Sequence, residues 1–271
     1  MGFLTPQGVR TIRRRSEGDI VIDPTYQGLE LLLLDFFGAV TTTGANPYTH
    51  VFAPSLTRQV GLTMRVQQDA QLSVITGAKI NRLAGVMDGQ ENLELTFGVL
   101  GKLGTMSAAA SSPTFPTSPP VLPVEATSTN GITYKLDTVE ECITSGSFDA
   151  SLPHDPAICA GDASIGEPTI NDFLTVTGEV VRDFEDDAYE DLFQALSEHV
   201  LEFNYKSELE GLTGPASWEF KIKFFAAQFL EAKPPTDGPG RIVETIPFQA
   251  NADGSGDIME ITLIGSRVTV P

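Results

Sequence analysis

Apolar and polar residues alternate along several short runs of this chain. Every second residue is apolar from Val60 to Val66 and again from Leu93 to Val99. A period of two places apolar side chains on one face of a strand, so both runs predict strands with one buried face. A third strand is expected through Ala78–Val86, joined to the run at Leu93 through Asp88-Gly89, a common hairpin-turn dipeptide. Together the three predict an antiparallel meander.

The same alternation dominates the last third of the chain. It covers the segments 173–180, Leu201–Tyr205, Trp218–Phe224, Ile242–Phe248 and Ile258–Ile264, with a turn expected at Asn251–Gly256. We therefore predict a mainly β fold, an antiparallel β-sandwich or barrel with one or two packed α-helices, long loops and terminal arms.

Two segments have helical rather than strand character. Apolar residues of Tyr26–Phe37 fall on one helical face, with Thr25 as a possible N-cap and Gly38 as the residue after the helix. A buried strand through Leu31–Phe37 is the alternative.

The second predicted helix, Asp187–Ser197, starts at acidic residues that suit a helix N-terminus. Its apolar face consists of Tyr189, Leu192, Phe193 and Leu196. His199 follows this helix, where a cation would stabilise the C-terminal end of the helix dipole, so we expect His199 to cap it.

The remaining segments predict arms and loops on a single domain spanning 1–271. Residues 1–25 and 265–271 are candidate terminal arms, and 105–170 is rich in Pro and Ser and predicts a loop insertion. The connection 38–56 carries Tyr48, His50 and Phe52 at alternating positions. This spacing is typical of a loop that docks on a partner by strand addition, or of a short edge strand in the protein's own sheet.

Charge narrows the range of functions. The chain has 36 acidic and 17 basic residues, a net charge of -19. Binding nucleic acid through its phosphates requires Lys and Arg, so this class of function is excluded. The charge indicates either plain solubility or a surface that tolerates nearby DNA without holding it. No apolar run approaches the roughly 18 residues of a membrane-spanning helix, so we expect no membrane contact.

Candidate chemistry is sparse. His50, His154 and His199 lie far apart in the sequence, and no hydrolase, zincin or phosphate-loop motif occurs. We therefore expect no enzyme, no cofactor and no metal. Cys142 and Cys159 are expected to be free thiols, although a disulfide between them stays open.

Two clusters permit a functional interpretation besides a structural one. The acidic residues between Asp183 and Asp191 are either a divalent-cation site or, as we prefer, a helix start with a solvated face. The aromatic residues of Trp218–Phe229 suit either base stacking or core packing. Core packing is favoured because no basic groove accompanies them.

The order of several motifs resembles the tail tube (major tail) proteins of long, non-contractile-tailed bacteriophages. An extended N-terminal segment leads into Gly28–Gly38. The loop Tyr48–Phe52, the strands Gly77–Asn81 and Leu93–Lys102, and the segment Thr177–Phe184 follow, and then the Asp187–Ser197 helix and a C-terminal β pair. The resemblance covers most of the chain outside 105–165.

The resemblance implies a structural virion protein that is assembled in the bacterial host cytoplasm and located in the phage tail. It implies hexameric rings stacked into a tube, with 38–56 as the inter-ring loop and Tyr48, His50 and Phe52 as its contact candidates. Tail terminator, distal tail and tape-measure proteins are the implied partners, and DNA passes through the lumen during ejection without specific binding.

An acidic lumen would repel phosphates, and this suggests which residues line it. Glu91, Glu94 and Glu179, on or beside predicted strands, are our lumen-lining candidates. The alternatives are a tail-completion or connector protein, which would form one ring and no filament, and a β-rich surface adhesion subunit.

Overall fold

The structure of the chain, a computed structural model, describes residues 15–26, 28–45, 47–55, 61–68, 71–88, 92–102, 104–108, 132–156, 165–207, 218–231 and 242–265. Most of the two predicted terminal arms, Glu91 and Cys159 lie outside these residues. The described elements are strands with two short helices, and the strands pair antiparallel. The predicted fold class is confirmed.

The helices are α1 (Glu30–Phe37) and α2 (Ala188–Ala195). The strands are β1 (Arg15–Ile22), β2 (Gly38–Gly44), β3 (Tyr48–Pro54), β4 (Leu62–Gln68), β5 (Gln71–Asp88), β6 (Glu94–Lys102), β7 (Thr105–Ala108), β8 (Ile132–Leu136), β9 (Val139–Glu141), β10 (Ser145–Ser151), β11 (His154–Asp155), β12 (Thr169–Ile170), β13 (Thr175–Asp183), β14 (Glu198–Ser207), β15 (Trp218–Phe229), β16 (Val243–Asn251) and β17 (Met259–Gly265).

One branched sheet contains almost all of these strands. Its main path runs β1-β6-β5-β10-β13-β16-β15-β14-β8-β9, and β11 pairs with β12 separately. The sheet branches at β15, whose first half pairs with β17 and whose second half pairs with β16. β17 continues through β3 to β2. The branch allows two layers to pack face to face as in a sandwich.

Phe224 of β15 lies where the two layers meet. Its ring centroid lies 5.7 Å from that of Phe148 on β10, 5.3 Å from that of Phe248 on β16 and 6.2 Å from that of Phe203 on β14. All four rings are buried. Trp218 and the alternate residues after it point into this core, which confirms core packing for the Trp218–Phe229 strand.

Two glycines make room for these rings. Gly85, Phe148, Gly178 and Phe248 are successive cross-strand neighbours on the inner face of the sheet. A methyl group on Gly85 would overlap the Phe148 ring, and one on Gly178 would lie 2.5 Å from Cζ of Phe248. The alternation of glycine and phenylalanine lets large rings fill a layer without pushing the strands apart.

The first predicted helix is confirmed as α1, and the alternative strand through Leu31–Phe37 is wrong. Gly38 follows the helix with φ of 84°, and its N–H donates to the Leu34 carbonyl as predicted. Thr25 is not the N-cap, because α1 begins five residues later. There the Glu30 carboxylate accepts the Gly28 N–H at 2.7 Å.

The second predicted helix is confirmed but ends early. α2 stops at Ala195, and Leu196 is left-handed (φ of 51°) and exposed instead of joining the apolar face. His199 does not cap it: the residue lies in β14 and contacts Ser197 and Asp137. β14 starts only three residues after α2, which carries the imidazole away from the helix end.

The segment predicted as a loop insertion, 105–170, contains a central strand. β10 pairs with β5 on one side and with β13 on the other, and Phe148 and Ala150 are buried in the core. Its sequence, Ser-Gly-Ser-Phe-Asp-Ala-Ser, alternates, but its inward residues are mostly small. The strand was therefore hidden within the Ser- and Pro-rich composition around it.

The meander of β4, β5 and β6 is confirmed, with a wider connection than a two-residue turn. Val86 pairs with Glu94, so the chain reverses over the residues between them and not at Asp88-Gly89 alone. β5 is long enough to pair first with β4 and β7 and then with β6 and β10.

Candidate functional surfaces

The outward side of β1, β6, β5, β10, β13 and β16 forms a surface that we call the acidic face. Cross-strand pairing arranges it in four rows. They are Asp88, Ser145, Val181 and Thr245; Glu94, Val86, Ser147, Glu179 and Pro247; Val21, Thr96, Ala84, Asp149, Thr177 and Gln249; and Asp19, Gly98, Arg82, Ser151 and Thr175.

Two of the three predicted lumen residues lie in the same row of the acidic face. Glu94 on β6 and Glu179 on β13 are both exposed and are separated by Val86 and Ser147. Three strand spacings place them about 14 Å apart. Glu91 lies outside the described residues. That these residues line a lumen stays a prediction.

The structure adds charged residues that sequence reasoning missed. Asp19, Asp88 and Asp149 also point outward here, so the face carries five carboxylates. Their cross-strand neighbours are mainly small serine, threonine, alanine and glycine residues, which leave the carboxylates prominent. Asp149 was missed because its strand was assigned to a loop. The alternation around Phe148 was the signal that could have revealed it.

Arg82 is the one cation on the acidic face among the residues that the structure describes, and carboxylates hold it. Its Nε donates to both oxygens of Asp149 at 3.0 and 2.9 Å, and its Nη2 lies 2.5 Å from Oδ2. Nη1 lies 3.9 Å from Oδ2 of Asp19. The hydrogen bond to Asp149 is the main reason why the pKa of Arg82 is raised above its ordinary value.

The outward side of β8, β9, β14, β15 and β17 has a different pattern, and we call it the charge-balanced face. It carries four carboxylates and four ammonium groups, contributed by Glu140, Glu202, Glu219, Glu260, Lys135, Lys206, Lys221 and Lys223. Lys206 lies 3.7 Å from Glu219, and Lys221 lies 3.8 Å from Glu202. This face therefore presents nearly neutral charge to solvent.

The predicted inter-ring loop is a β-hairpin made of β2 and β3. β3 lies between β2 and β17, so β2 and not β3 is the edge strand. His50 and Phe52 are buried, Tyr48 is half-buried, and Nδ1 of His50 lies 2.9 Å from Oγ1 of Thr42. The exposed part is instead the end of β2 and the start of the turn, residues 41–45. An inter-ring role for the hairpin stays a prediction, and only the exposed tip is placed to perform it.

The predicted acidic cluster before α2 is engaged with an arginine. Arg182 pairs with Asp186 at 3.1 Å and with the buried Glu244 at 3.2 Å, and its guanidinium lies 4.3 Å from the Tyr189 ring centroid. Within the described ranges, no group of three or more His, Cys, Asp or Glu residues is arranged to hold a metal ion. Cys142 is an exposed free thiol.

Comparison with known proteins adds to this geometry. A model of the phage tail tube protein family matches residues 2–250. The chain therefore belongs to that family, and it is a structural protein of the phage tail. A search of curated proteins found no match. Neither described helix has the length and apolar character needed to cross a membrane.

Proposed function

We propose that this protein assembles into hexameric rings that stack into the tail tube, with the acidic face lining the lumen through which DNA leaves during ejection. In this proposal the tube is assembled in the host cytoplasm. Its ends meet the tail terminator and distal tail proteins, and the tape-measure protein occupies the lumen before ejection. Membership of the tail tube family supports the assembly, and the geometry below supports the orientation.

The distribution of charge carries the choice of lumen surface. Five carboxylates and one carboxylate-bound guanidinium lie on the acidic face, whereas positive and negative charges match on the charge-balanced face. DNA carries about one negative charge per 1.7 Å of duplex length, so a wall bound to it by Lys or Arg would oppose its movement. A wall of unpaired carboxylates repels it instead.

Open sheet edges support ring formation. β1, β2 and β9 each pair with only one strand among those described, so each presents backbone groups along its second side. Such edges invite pairing with another chain. A cyclic arrangement of identical subunits pairs edges between neighbours, and a head-to-tail contact between rings extends the assembly into a filament.

The orientation is tested by cryo-electron microscopy of purified tubes. We expect stacked six-fold rings in which Glu94 and Glu179 face the central channel. A map that places these two residues on the outer surface, with the lysines of β15 towards the channel, would overturn the lumen assignment. Single rings that never elongate would identify a connector protein instead.

The role of the hairpin tip is tested separately, because the buried part of the hairpin contributes to the fold. Thr41→Asp together with Thr43→Asp alters exposed positions and leaves His50 and Phe52 in place. We expect the double variant to fold normally and to lose tube formation in negative-stain images. Thr138→Asp, at an exposed position in the β8–β9 turn, is the matched control and should form tubes. Normal tubes from the tip variant would exclude this contact.

A further inference from the structure

We propose that Asp149, assisted by Asp19, masks Arg82 so that the acidic face offers no free cation to DNA. This inference rests on the proposed lumen function and deepens it, because it identifies which residues keep the channel from binding its cargo. Asp149 acts on DNA through Arg82 and not by direct contact, so it is a positioning residue. Removing it would expose a phosphate-binding group on an otherwise repellent surface.

The contacts around Arg82 define the mask. Asp149 lies on the neighbouring strand β10, diagonally across from Arg82, and both of its oxygens accept hydrogen bonds from the guanidinium. Asp19 approaches from the opposite side, two strands away. The Arg82 side chain is nevertheless 42% exposed, so the guanidinium lies at the surface and is occupied but not buried.

The backbone is shaped to lay this arginine across the sheet. A bulge between Ile80 and Arg82 interrupts the pairing of β5 with β6. Gly98 is the cross-strand neighbour of Arg82. A methyl group there would lie 2.8 Å from Cβ of Arg82 and 3.5 Å from Oδ1 of Asp19. Glycine at this position therefore leaves the space across which Arg82 and Asp19 approach each other.

The other cation on this side of β5 is removed from the surface by a different route. Lys79 precedes the bulge, is buried, and lies 3.2 Å from Oε1 of Glu167. Both cations of this stretch of β5 thus have carboxylate partners. A released guanidinium would matter because its planar fork binds phosphate through two parallel hydrogen bonds. Repeated in every subunit of a ring, it would retard the passage of DNA.

The test measures binding of a fluorescent 20-base-pair DNA duplex to single subunits by anisotropy at low and moderate salt. Asp149→Ser releases Arg82 and installs the residue type already present at Ser147 and Ser151. Glu179→Ser is the matched control, since it removes the same charge from the same face without touching Arg82. Arg82→Gln combined with Asp149→Ser removes the cation as well. Circular dichroism confirms that each variant folds.

We expect Asp149→Ser to bind the duplex about tenfold more tightly than Glu179→Ser, the factor that one charge-assisted hydrogen bond contributes. The slope of log affinity against log salt should become more negative by about one, as for one added phosphate contact. The double variant should return to the control level. Equal binding by the two single variants, or tight binding that persists in the double variant, would overturn the masking role.

This result is independent of the tube orientation. If the lumen assignment fails, the cryo-electron microscopy map shows the acidic face outside, while the binding difference between single subunits can still be present. If only the masking role fails, the map shows the acidic face in the channel, and Asp149→Ser binds DNA no better than Glu179→Ser.

Discussion

The acidic face and the charge-balanced face are built from the same kind of strand but differ in where their cations lie. The two faces carry five and four carboxylates, respectively, so the number of acids barely distinguishes them. The charge-balanced face adds four lysines, and the acidic face adds only Arg82, held by Asp149. The potential of each surface is therefore set by the placement of basic residues and not by the acidic excess of the chain.

The inner sides of the two layers differ as well. Beneath the acidic face, glycine and phenylalanine alternate across the strands, whereas large residues occupy successive inward positions of β15, including Phe220, Ile222 and Phe224. The acidic layer therefore depends on close approach of rings to backbone. Its stability should respond strongly to small added groups, and the other layer should respond to lost ones.

Removing the ring that joins the layers should have the largest effect. Phe224→Ala deletes the contacts with Phe148, Phe203 and Phe248 and should lower the free energy of unfolding by about 3–5 kcal/mol. Phe225→Ala, one residue later on the outward side beneath Lys223, should cost about 1 kcal/mol or less. Urea denaturation of both variants measures the difference. Similar losses would mean that Phe224 does not join the layers.

Charge reversal on the two faces should change DNA binding unequally. Glu94→Lys with Glu179→Lys adds two exposed cations to the acidic face. It should make the salt slope of duplex binding more negative by about 0.9 for each phosphate neutralised. Glu202→Lys with Glu260→Lys makes the same change in charge on the other face, and such tubes should eject DNA normally. Infectivity is the second measurement: only the acidic-face variant should lose it. Equal loss from both pairs would contradict the proposed lumen.

Adding one methyl group beneath the acidic face should have a smaller effect on stability. Gly85→Ala places a methyl group against the buried Phe148 ring and should cost about 1–3 kcal/mol through overpacking. Gly18→Ala in β1 is the control, because nothing lies within 4 Å of its added methyl group. It should be neutral or slightly stabilising. Thermal unfolding of the two variants gives the comparison, and an unchanged Gly85→Ala protein would show that the rings can shift.

Strand positions with a strong alternating pattern could be predicted from the sequence, and those with small residues could not. β15 and β17 have large apolar residues on one side, and Gly38 ends α1 because glycine accepts the left-handed conformation. β10 escaped prediction because Ser and Gly occupy most of its positions. The end of α2 escaped because Leu196 continues the apolar spacing although the chain turns there.

The candidate surfaces were predictable only in part, because they depend on strand register. Alternation with Leu95 and Val180 placed Glu94 and Glu179 on outward positions. Their location in one row follows from the pairing of four strands, which no local pattern contains. The contact of Arg82 with Asp149 joins residues 67 positions apart and requires the bulge in β5.

The smallest effect distinguishes a bonded carboxylate from an unpaired one. Asp137 accepts hydrogen bonds from the Val200 N–H at 2.9 Å and from Nδ1 of His199 at 3.0 Å, whereas Glu94 has no ion-pair partner among the described residues. Burial alone would raise the pKa of Asp137, but these hydrogen bonds outweigh it and hold the pKa below its ordinary value of 3.8. The ionised form therefore stabilises the fold above that value, and the contribution is lost as pH falls through the lowered pKa.

Asp137→Asn should accordingly lower the free energy of unfolding at pH 7 by about 0.5–1 kcal/mol, a modest amount because the Asp137 side chain is half-exposed. Asparagine tolerates the positive φ of 58° at this position, so the substitution tests charge and not backbone strain. Glu94→Gln should change stability by less than about 0.5 kcal/mol. Urea titrations at pH 7 and pH 3 should show the Asp137→Asn difference shrinking at the lower pH. A difference that persists unchanged would assign the effect to packing and not to the carboxylate charge.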